Sequence, residues 1–268
     1  MLVMRSKLQE KPKSKILKHG YINIYSKLTN QEDRQIYYKT LYKKQNSDWD
    51  ESMVYLTKKL KSFLSGKEKL LDIGCGNGSY LVDENRKKIS WAVGIDSDKQ
   101  AVGKNICLDE ILIGDFGVMP FASGSFDVVT GLWVLEHVRN PEKVFNEIHR
   151  VLKVGGKFFF ATPNYSFLPL RLIRFIKFLK FNYIINERLF GRERKDVFET
   201  YYKASSVVAI KKLSKNKFNI IELRTNFDPS YTSFSRITYS LTKFLHLVST
   251  KFGFEITYPH IIGVLEKI

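Results

Sequence analysis

Short apolar runs alternate with polar segments through the middle of the chain. The run Lys69–Ile73 stops at Gly74, and a polar segment extends from there to about Arg86. Such a run is typical of a buried strand, and the segment after the glycine is typical of a turn and a helix. The same pattern predicts further strands at Trp91–Ile95, Glu110–Ile113, Phe126–Leu132 and Lys157–Thr162, and helices at Asp98–Asn105 and Pro141–Leu152.

This alternation predicts an α/β fold that is built around a mainly parallel sheet. Strands separated by helices imply right-handed crossovers, which cover both faces of such a sheet. Pro141 suits the first turn of its helix, where a missing N–H group costs nothing, and the glycines at 155 and 156 suit the end of that helix.

The first predicted strand leads into a turn with glycines at three alternate positions, Gly74, Gly76 and Gly78, directly after Asp72. Glycine suits a sharp turn, and it lets a ligand approach closer than a Cβ atom would allow. In an open parallel sheet this turn lies at the carboxyl ends of the strands, where ligands bind. The spacing differs from the dinucleotide pattern G-x-G-x-x-G, which favours a ligand without a pyrophosphate.

Two more carboxylates follow the next two predicted strands. Asp96 lies 18 residues after Gly78, where an acidic side chain can bind both hydroxyls of a ribose. Asp115 can accept a hydrogen bond from an adenine amino group, with Phe116 beside it. Each carboxylate alone could instead cap the following helix, but three at the ends of successive strands favour a ligand site.

With these motifs the chain resembles the class I S-adenosylmethionine-dependent methyltransferases, and among them the type 11 domain found in quinone-biosynthesis enzymes. The resemblance covers about residues 66–164 and implies a Rossmann-like, doubly wound sheet of seven strands with helical additions that form a lid. It extends to a sixth-strand region at Phe198–Leu223 and to a final antiparallel strand at Ile261–Lys267. The motifs that carry it are Leu70–Leu81, Val93–Asp98, Gly114–Phe121, Ser125–Val138 and Val151–Asn164.

The resemblance also implies roles for individual residues of the motifs. S-adenosylmethionine is the implied cofactor, and no metal is expected. Asp72, Gly74, Gly76 and Gly78 would shape the methionine and ribose end of its pocket, Asp96 and Ser97 would hold the ribose, Asp115 and Phe116 would contact the adenine, and Leu132 and Trp133 would line the methyl-donor end.

The methyl acceptor is less constrained by the sequence. In-line methyl transfer needs alignment, and it needs a base only when the acceptor loses a proton. His137, just after the fourth strand, is the best-placed candidate for a base, although its position favours a helix-start or pocket-lining residue. Methyltransferases of nucleobase amines usually carry an Asn/Asp-Pro-Pro-aromatic segment there, and this chain has Leu-Trp-Val-Leu-Glu-His. Cys75 and Cys107 lie outside that loop and are read as small buried residues.

Charge divides the 268-residue chain into three parts. The net charge of +17 is made up of +8 in residues 1–66, −1 in residues 67–163 and +10 in residues 164–268. We interpret these as a basic tail with a helical cover, a cofactor-binding core, and the completion of the sheet. Basic flanks attract nucleic acid or an anionic membrane, and a lysine-rich surface alone would look the same.

Two insertions, about residues 165–195 and 231–254, exceed the minimal fold. Each predicts an amphipathic helix. In the first, Arg171, Arg174, Lys177 and Lys180 lie opposite an apolar stripe, and the second has a stripe from Ile237 to Phe252. The helices could pack on each other as a lid, or the basic face of the first could touch an anionic membrane.

These observations predict an enzyme that methylates an oxygen or carbon of a small, apolar or lipid-like acceptor. The alternatives are a nucleic-acid methyltransferase and a non-catalytic protein that binds S-adenosylmethionine. The N-terminus lacks an apolar run that could serve as a signal peptide, and the longest uncharged stretch, 13 residues, is too short to span a membrane. We therefore expect a cytoplasmic protein, with membrane association limited to the surface.

Overall fold

The computed structural model describes residues 3–5, 31–178 and 199–268. Predictions that concern residues 179–198, including Lys180, Lys195 and Phe198, lie outside the described residues. The strands are β1 (Val3–Arg5), β2 (Lys69–Ile73), β3 (Trp91–Asp96), β4 (Glu110–Ile113), β5 (Phe126–Leu132), β6 (Leu152–Pro163), β7 (Phe218–Asn226) and β8 (His260–Lys267).

Within the described residues these strands form one sheet in the order β1-β4-β3-β2-β5-β6-β8-β7. The strands from β4 to β6 are parallel, and β8 runs antiparallel to both β6 and β7. The predicted seven-stranded, mainly parallel sheet with a final antiparallel strand is therefore confirmed. The short strand β1 adds an antiparallel edge beside β4, within the segment interpreted as a tail.

Helices cover the sheet and connect its strands. Asn140 caps the amino end of α5 by accepting a hydrogen bond from the Lys143 amide, and Pro141 is the first residue of the helix, as its sequence predicts. The helices are α1 (Gln31–Gln45), α2 (Ser52–Phe63), α3 (Tyr80–Asn85), α4 (Lys99–Val102), α5 (Pro141–Val151), α6 (Leu168–Phe178), α7 (Val207–Ser214) and α8 (Arg236–Lys251). None of the described helices is long and apolar enough to cross a membrane.

The apolar runs that predicted the central strands form the core. In β2 and β3 almost every side chain is buried, because helices cover both faces of the parallel sheet. Two buried clusters lie on the two sides of the sheet, and Cys75 is buried in one of them. A third cluster joins Tyr38 and Tyr42 of α1 to Phe227 and to Tyr239 of α8, so the N-terminal aromatic residues pack as core.

The two insertion helices do not pack on each other through their apolar stripes. Leu172 on α6 is 52% exposed, and Ile237 on α8 is 81% exposed. The predicted mutual packing of the stripes is therefore wrong for the described residues. The reason is that α8 packs on the body through its polar side, which includes the buried side chains of Thr242 and Ser249.

Candidate functional site

Backbone hydrogen bonds join the carboxyl ends of β2, β3 and β4 into one edge. The Gly74 amide donates to the Ile95 carbonyl at 2.8 Å, and the Gly114 amide donates to the Asp96 carbonyl at 2.9 Å. The loops that follow these three strands are therefore neighbours. This edge holds the glycine turn and the carboxylates that the sequence singled out.

The glycine turn has the backbone that its sequence predicts. Gly74, Gly76 and Gly78 have φ angles of +65°, +42° and +139°, which disfavour other residues. A Cβ atom on Gly74 would lie 2.5 Å from Cγ2 of Val134, so the turn packs directly against the loop after β5. At Gly76 such an atom would meet nothing within 4 Å, which leaves room for a ligand beside the turn.

Asp72 lies beneath this turn and is 1% exposed. Its Oδ1 atom accepts a hydrogen bond from Thr130 Oγ1 at 2.6 Å, whereas its Oδ2 atom has no hydrogen-bond partner among the described residues. Burial, with a smaller contribution from the charges of Asp96 and Asp83, raises the pKa of Asp72 to about 7 against the opposing effect of the Thr130 and Ser79 hydroxyls. A buried carboxylate with one unmatched oxygen suits a cationic ligand group.

Asp96 is fixed by the loops on both sides of it. One carboxylate oxygen accepts from the Gly76 amide at 2.8 Å, and the other accepts from the Asp98 amide at 2.8 Å. The carboxylate therefore stands beside the glycine turn, as a ribose-binding role requires. Ser97, next to it, is exposed at the same edge.

Asp115 and Phe116 line a cavity of about 990 Å³ together with His137. Asp115 Oδ1 accepts from the Gly117 amide at 2.7 Å, which holds the carboxylate in its loop. His137 ends the short 3₁₀ helix Leu135–His137, and its Nδ1 atom lies 2.8 Å from the Glu199 carbonyl. His137 therefore shares a cavity with the residues expected at the adenine, and its role as a base stays a prediction.

Leu132 and Trp133 lie at the end of β5, which is next to β2 in the sheet. Trp133 has a φ angle of +55°, a strained conformation for a residue with a side chain, and its amide donates to the Ala161 carbonyl at 2.9 Å. Both side chains are half-buried. The structure thus places an aromatic ring at the end of β5, next to the glycine turn.

The Trp133 ring also contacts a histidine that the sequence analysis did not assign to the site. Its centroid lies 4.7 Å from that of His260, the first residue of β8. His260 Nε2 lies 2.9 Å from the Tyr231 hydroxyl, and Nδ1 lies 3.0 Å from Ser52 Oγ. Asn226 Nδ2 donates to the same Ser52 oxygen at 3.1 Å. His260 is buried, which lowers its pKa to about 4 and keeps the ring neutral at physiological pH.

Only the tertiary structure assembles this group. In the antiparallel pairing His260 lies opposite both Pro163 at the end of β6 and Asn226 at the end of β7. The one signal in the sequence is that Tyr231 and His260 lie close to the ends of the last two strands. Once the strand order is known, polar residues near these strand ends can be recognised as neighbours.

The edge of the sheet can therefore offer two kinds of chemistry. The glycine turn, Asp72 and Asp96 can bind a ligand that has a cationic group and neighbouring hydroxyls. Trp133, Tyr231 and His260 form a second group, in which an aromatic surface meets a hydrogen-bonded phenol. No group of three or more His, Cys, Asp or Glu side chains that could hold a metal occurs among the described residues.

Comparison with known proteins agrees with this architecture. Residues 71–160 match the family described as a methyltransferase domain. The resemblance of this part of the chain to S-adenosylmethionine-dependent methyltransferases is therefore confirmed.

Curated relatives match the same part of the chain. The ubiquinone biosynthesis O-methyltransferase of Nitrosococcus oceani is 38% identical over 109 residues, which are 38% of this chain and 45% of that protein. The sterol 4-C-methyltransferase of Caenorhabditis elegans is 36% identical over 104 residues, which are 35% of this chain and 31% of that protein. The chain thus matches less than half the length of either relative.

Solved structures share the fold over a larger part of the chain. A geranyl diphosphate methyltransferase in complex with S-adenosylmethionine has a TM-score of 0.52 and 12% identity, and the match covers 80% of this chain and 85% of that one. A protein of Galdieria sulphuraria with a provisional assignment as a sarcosine dimethylglycine methyltransferase has the same TM-score and 15% identity, and the match covers 80% of this chain and 84% of that one. At these identities the likeness supports the fold alone.

Proposed function

We propose that this protein binds S-adenosylmethionine and transfers its methyl group to an oxygen or carbon of a small, apolar or lipid-like acceptor. The observation that carries the cofactor proposal is the unmatched, buried Oδ2 atom of Asp72 beneath the glycine turn. S-adenosylmethionine has an ammonium group that would satisfy this oxygen, and it has no phosphate that the turn would need to bind. The two curated relatives are named as a ubiquinone biosynthesis O-methyltransferase and a sterol 4-C-methyltransferase, and both names support this class of acceptor.

Each residue at the edge has a task in this proposal. Asp72 pairs with the ammonium group, and Asp96, with Ser97 beside it, holds the ribose hydroxyls. Asp115 and Phe116 contact the adenine. Leu132 and Trp133 exclude water from the methyl-donor end, where alignment of the reacting atoms can lower the barrier by up to about 7–11 kcal/mol. When bound, the cofactor supplies an electrophilic methyl group on a sulfonium.

Tyr231 and His260 handle the proton when the acceptor is a hydroxyl. Tyr231 accepts a hydrogen bond from the acceptor and donates its own proton to the neutral Nε2 atom of His260. As the oxygen–carbon bond forms and the carbon–sulfur bond breaks, the acceptor proton passes to Tyr231 and the Tyr231 proton passes to His260. The products are the methylated acceptor and S-adenosylhomocysteine, and His260 then returns the proton to solvent. This pair favours oxygen as the acceptor atom.

Calorimetric titration with S-adenosylmethionine tests the cofactor proposal. We expect saturable binding that Asp96→Ala weakens at least about tenfold, because the carboxylate is one of the charged hydrogen-bond acceptors for the ribose. Asp48→Ala, on an exposed acidic residue, is the matched control. If the wild-type protein does not bind the cofactor, both the enzyme proposal and its non-catalytic alternative fail.

A nucleic-acid acceptor is the second candidate, and one observation favours it. Several basic side chains line the cavity that Asp115 and Phe116 share, namely Arg139, Lys143, Lys203, Lys212 and Lys217. Such a cavity attracts phosphates, and binding would then weaken steeply as salt is raised. A filter-binding assay with RNA across a salt series distinguishes the candidates, since a small-molecule enzyme retains no RNA at physiological salt.

A further inference from the structure

Helix α8 packs on the body of the protein through polar and histidine side chains. Thr242 Oγ1 donates to Thr232 Oγ1 at 2.9 Å, and Ser249 Oγ donates to the Phe254 carbonyl at 2.6 Å. The His246 ring stacks on Phe227 with a centroid distance of 3.7 Å. The inward face of α8 is therefore hydrogen-bonded and fixed, which determines the face that it turns outward.

The outward face of α8 is apolar. Ile237 is 81% exposed and Phe244 is 61% exposed, although a helix normally buries such side chains against its protein. Exposed apolar side chains also occur on α6, whose first amide, at Leu168, donates to the carbonyl of Ile256, in the segment after α8, at 2.9 Å. We call the exposed side chains of Leu168, Leu172, Ile237, Leu241, Phe244 and Phe252 the α8 surface.

The charged residues within α6 and α8 are all basic. Neither α6 nor α8 contains an Asp or Glu residue. Arg171, Arg236 and Lys251 are exposed on these helices, beside the apolar side chains. A wide apolar face with a basic margin is the pattern of a helix that lies in the interface of an anionic membrane. A second copy of this chain fits less well, because two basic margins would repel each other.

One residue of the basic face predicted for α6 is engaged within its own chain. The Arg174 guanidinium lies 4.7 Å from the ring centroids of both Tyr165 and Tyr202, so it is held between two aromatic rings of its own chain. Arg171 is exposed, and Lys180 lies outside the described residues. The exposed apolar side chains of α8 therefore make α8, rather than α6, the main contact with a membrane.

We propose that the α8 surface binds the interface of a lipid bilayer that contains anionic lipid, with Ile237, Leu241 and Phe244 inserted among the acyl chains. Arg236 and Lys251 would contact the headgroups. The first residue of this surface on α8, Ile237, lies six residues after Tyr231, so an acceptor dissolved in the bilayer would arrive near the Tyr231–His260 pair. The binding itself does not rest on methyl transfer.

Flotation of the full-length protein with vesicles tests this proposal without cofactor or acceptor. The probes are vesicles of phosphatidylcholine alone and vesicles of phosphatidylcholine mixed with phosphatidylglycerol. We expect the wild-type protein to float with the mixed vesicles, and the double variant Leu241→Asp/Phe244→Asp to bind them at least about tenfold more weakly. Binding to phosphatidylcholine alone should be weaker than to the mixture.

The matched control is Val154→Asp/Val208→Asp, which makes the same change of charge at two apolar side chains that are each 78% exposed outside the α8 surface. This control should float like the wild type, and thermal unfolding should show that both variants are folded. Equal flotation of the two double variants overturns the proposal, as does a wild type that does not float. Sedimentation that shows a wild-type dimer, dissociated only by Leu241→Asp/Phe244→Asp, would make the surface an interface between copies and would also overturn it.

Discussion

Replacement of Asp72 by Asn removes a buried charge while it keeps the size of the side chain. In the unliganded protein, burial raises the pKa of Asp72 from its ordinary value of 3.8 to about 7. The folded protein therefore holds this proton more tightly than the unfolded chain does. The contribution of Asp72 to the free energy of unfolding falls as the pH rises between these two values, and the loss is complete above pH 7.

The shift of about three pKa units corresponds to roughly 4 kcal/mol as an upper limit. Asn has no charge to bury, so the stability of the Asp72→Asn variant should not fall as the pH rises from 3.8 to about 7. In urea unfolding without cofactor, we expect Asp72→Asn to gain stability relative to the wild type as the pH rises from about 5 to about 8. Asp48→Asn, at an exposed carboxylate, should show no such gain.

Bound S-adenosylmethionine should instead favour the wild type, with its charged Asp72, over the Asp72→Asn variant. Its ammonium group stabilises the charged form of Asp72, so the wild type should bind more tightly as the pH rises through about 7. A charged hydrogen bond is worth about 1.5–3 kcal/mol, and we therefore expect Asp72→Asn to bind at least about tenfold more weakly at pH 8. A variant that binds the cofactor as tightly as the wild type, or whose stability relative to the wild type does not change with pH, would show that Asp72 has neither the charge nor the ligand assigned to it.

Three further substitutions test other parts of the site. Gly74→Ala should destabilise the protein by about 1–3 kcal/mol more than Gly124→Ala in urea unfolding, because both positions have φ near +65° but only Gly74 would collide with Val134. An equal loss of stability in the two variants would show that the contact with Val134 does not contribute. Tyr231→Phe should lower kcat about 100-fold while calorimetry shows unchanged cofactor affinity, and a loss below about threefold would exclude the proton transfer. His137→Ala should leave kcat within about threefold of the wild type, and a loss of about 100-fold would instead make His137 the base.

The sequence was sufficient for the central sheet because of how parallel strands are buried. Strands such as Lys69–Ile73 and Phe126–Leu132 are covered on both faces, so they appear as short, mostly apolar runs. The helix predicted at Asp98–Asn105 is confined to Lys99–Val102. Helix ends depend on local hydrogen bonds that periodicity does not report.

Contacts between distant parts of the chain could not be predicted in this way. The apolar stripe of α8 was visible in its periodicity, but the side that faces the body depends on partners such as Phe227 and Thr232. The group around His260 likewise needs the antiparallel pairing of β8 with its two neighbours. Both features depend on tertiary packing, which can override the preference of a single segment.

Transfer of a labelled methyl group shows directly whether the protein is an enzyme and which class of acceptor it uses. The protein is incubated with methyl-labelled S-adenosylmethionine and a total cell extract, which is then separated into apolar small molecules, nucleic acid and protein. We expect label to accumulate in the apolar fraction and Asp96→Ala to abolish this accumulation. Label that appears only in nucleic acid, or no label above the level of Asp96→Ala, would contradict this expectation.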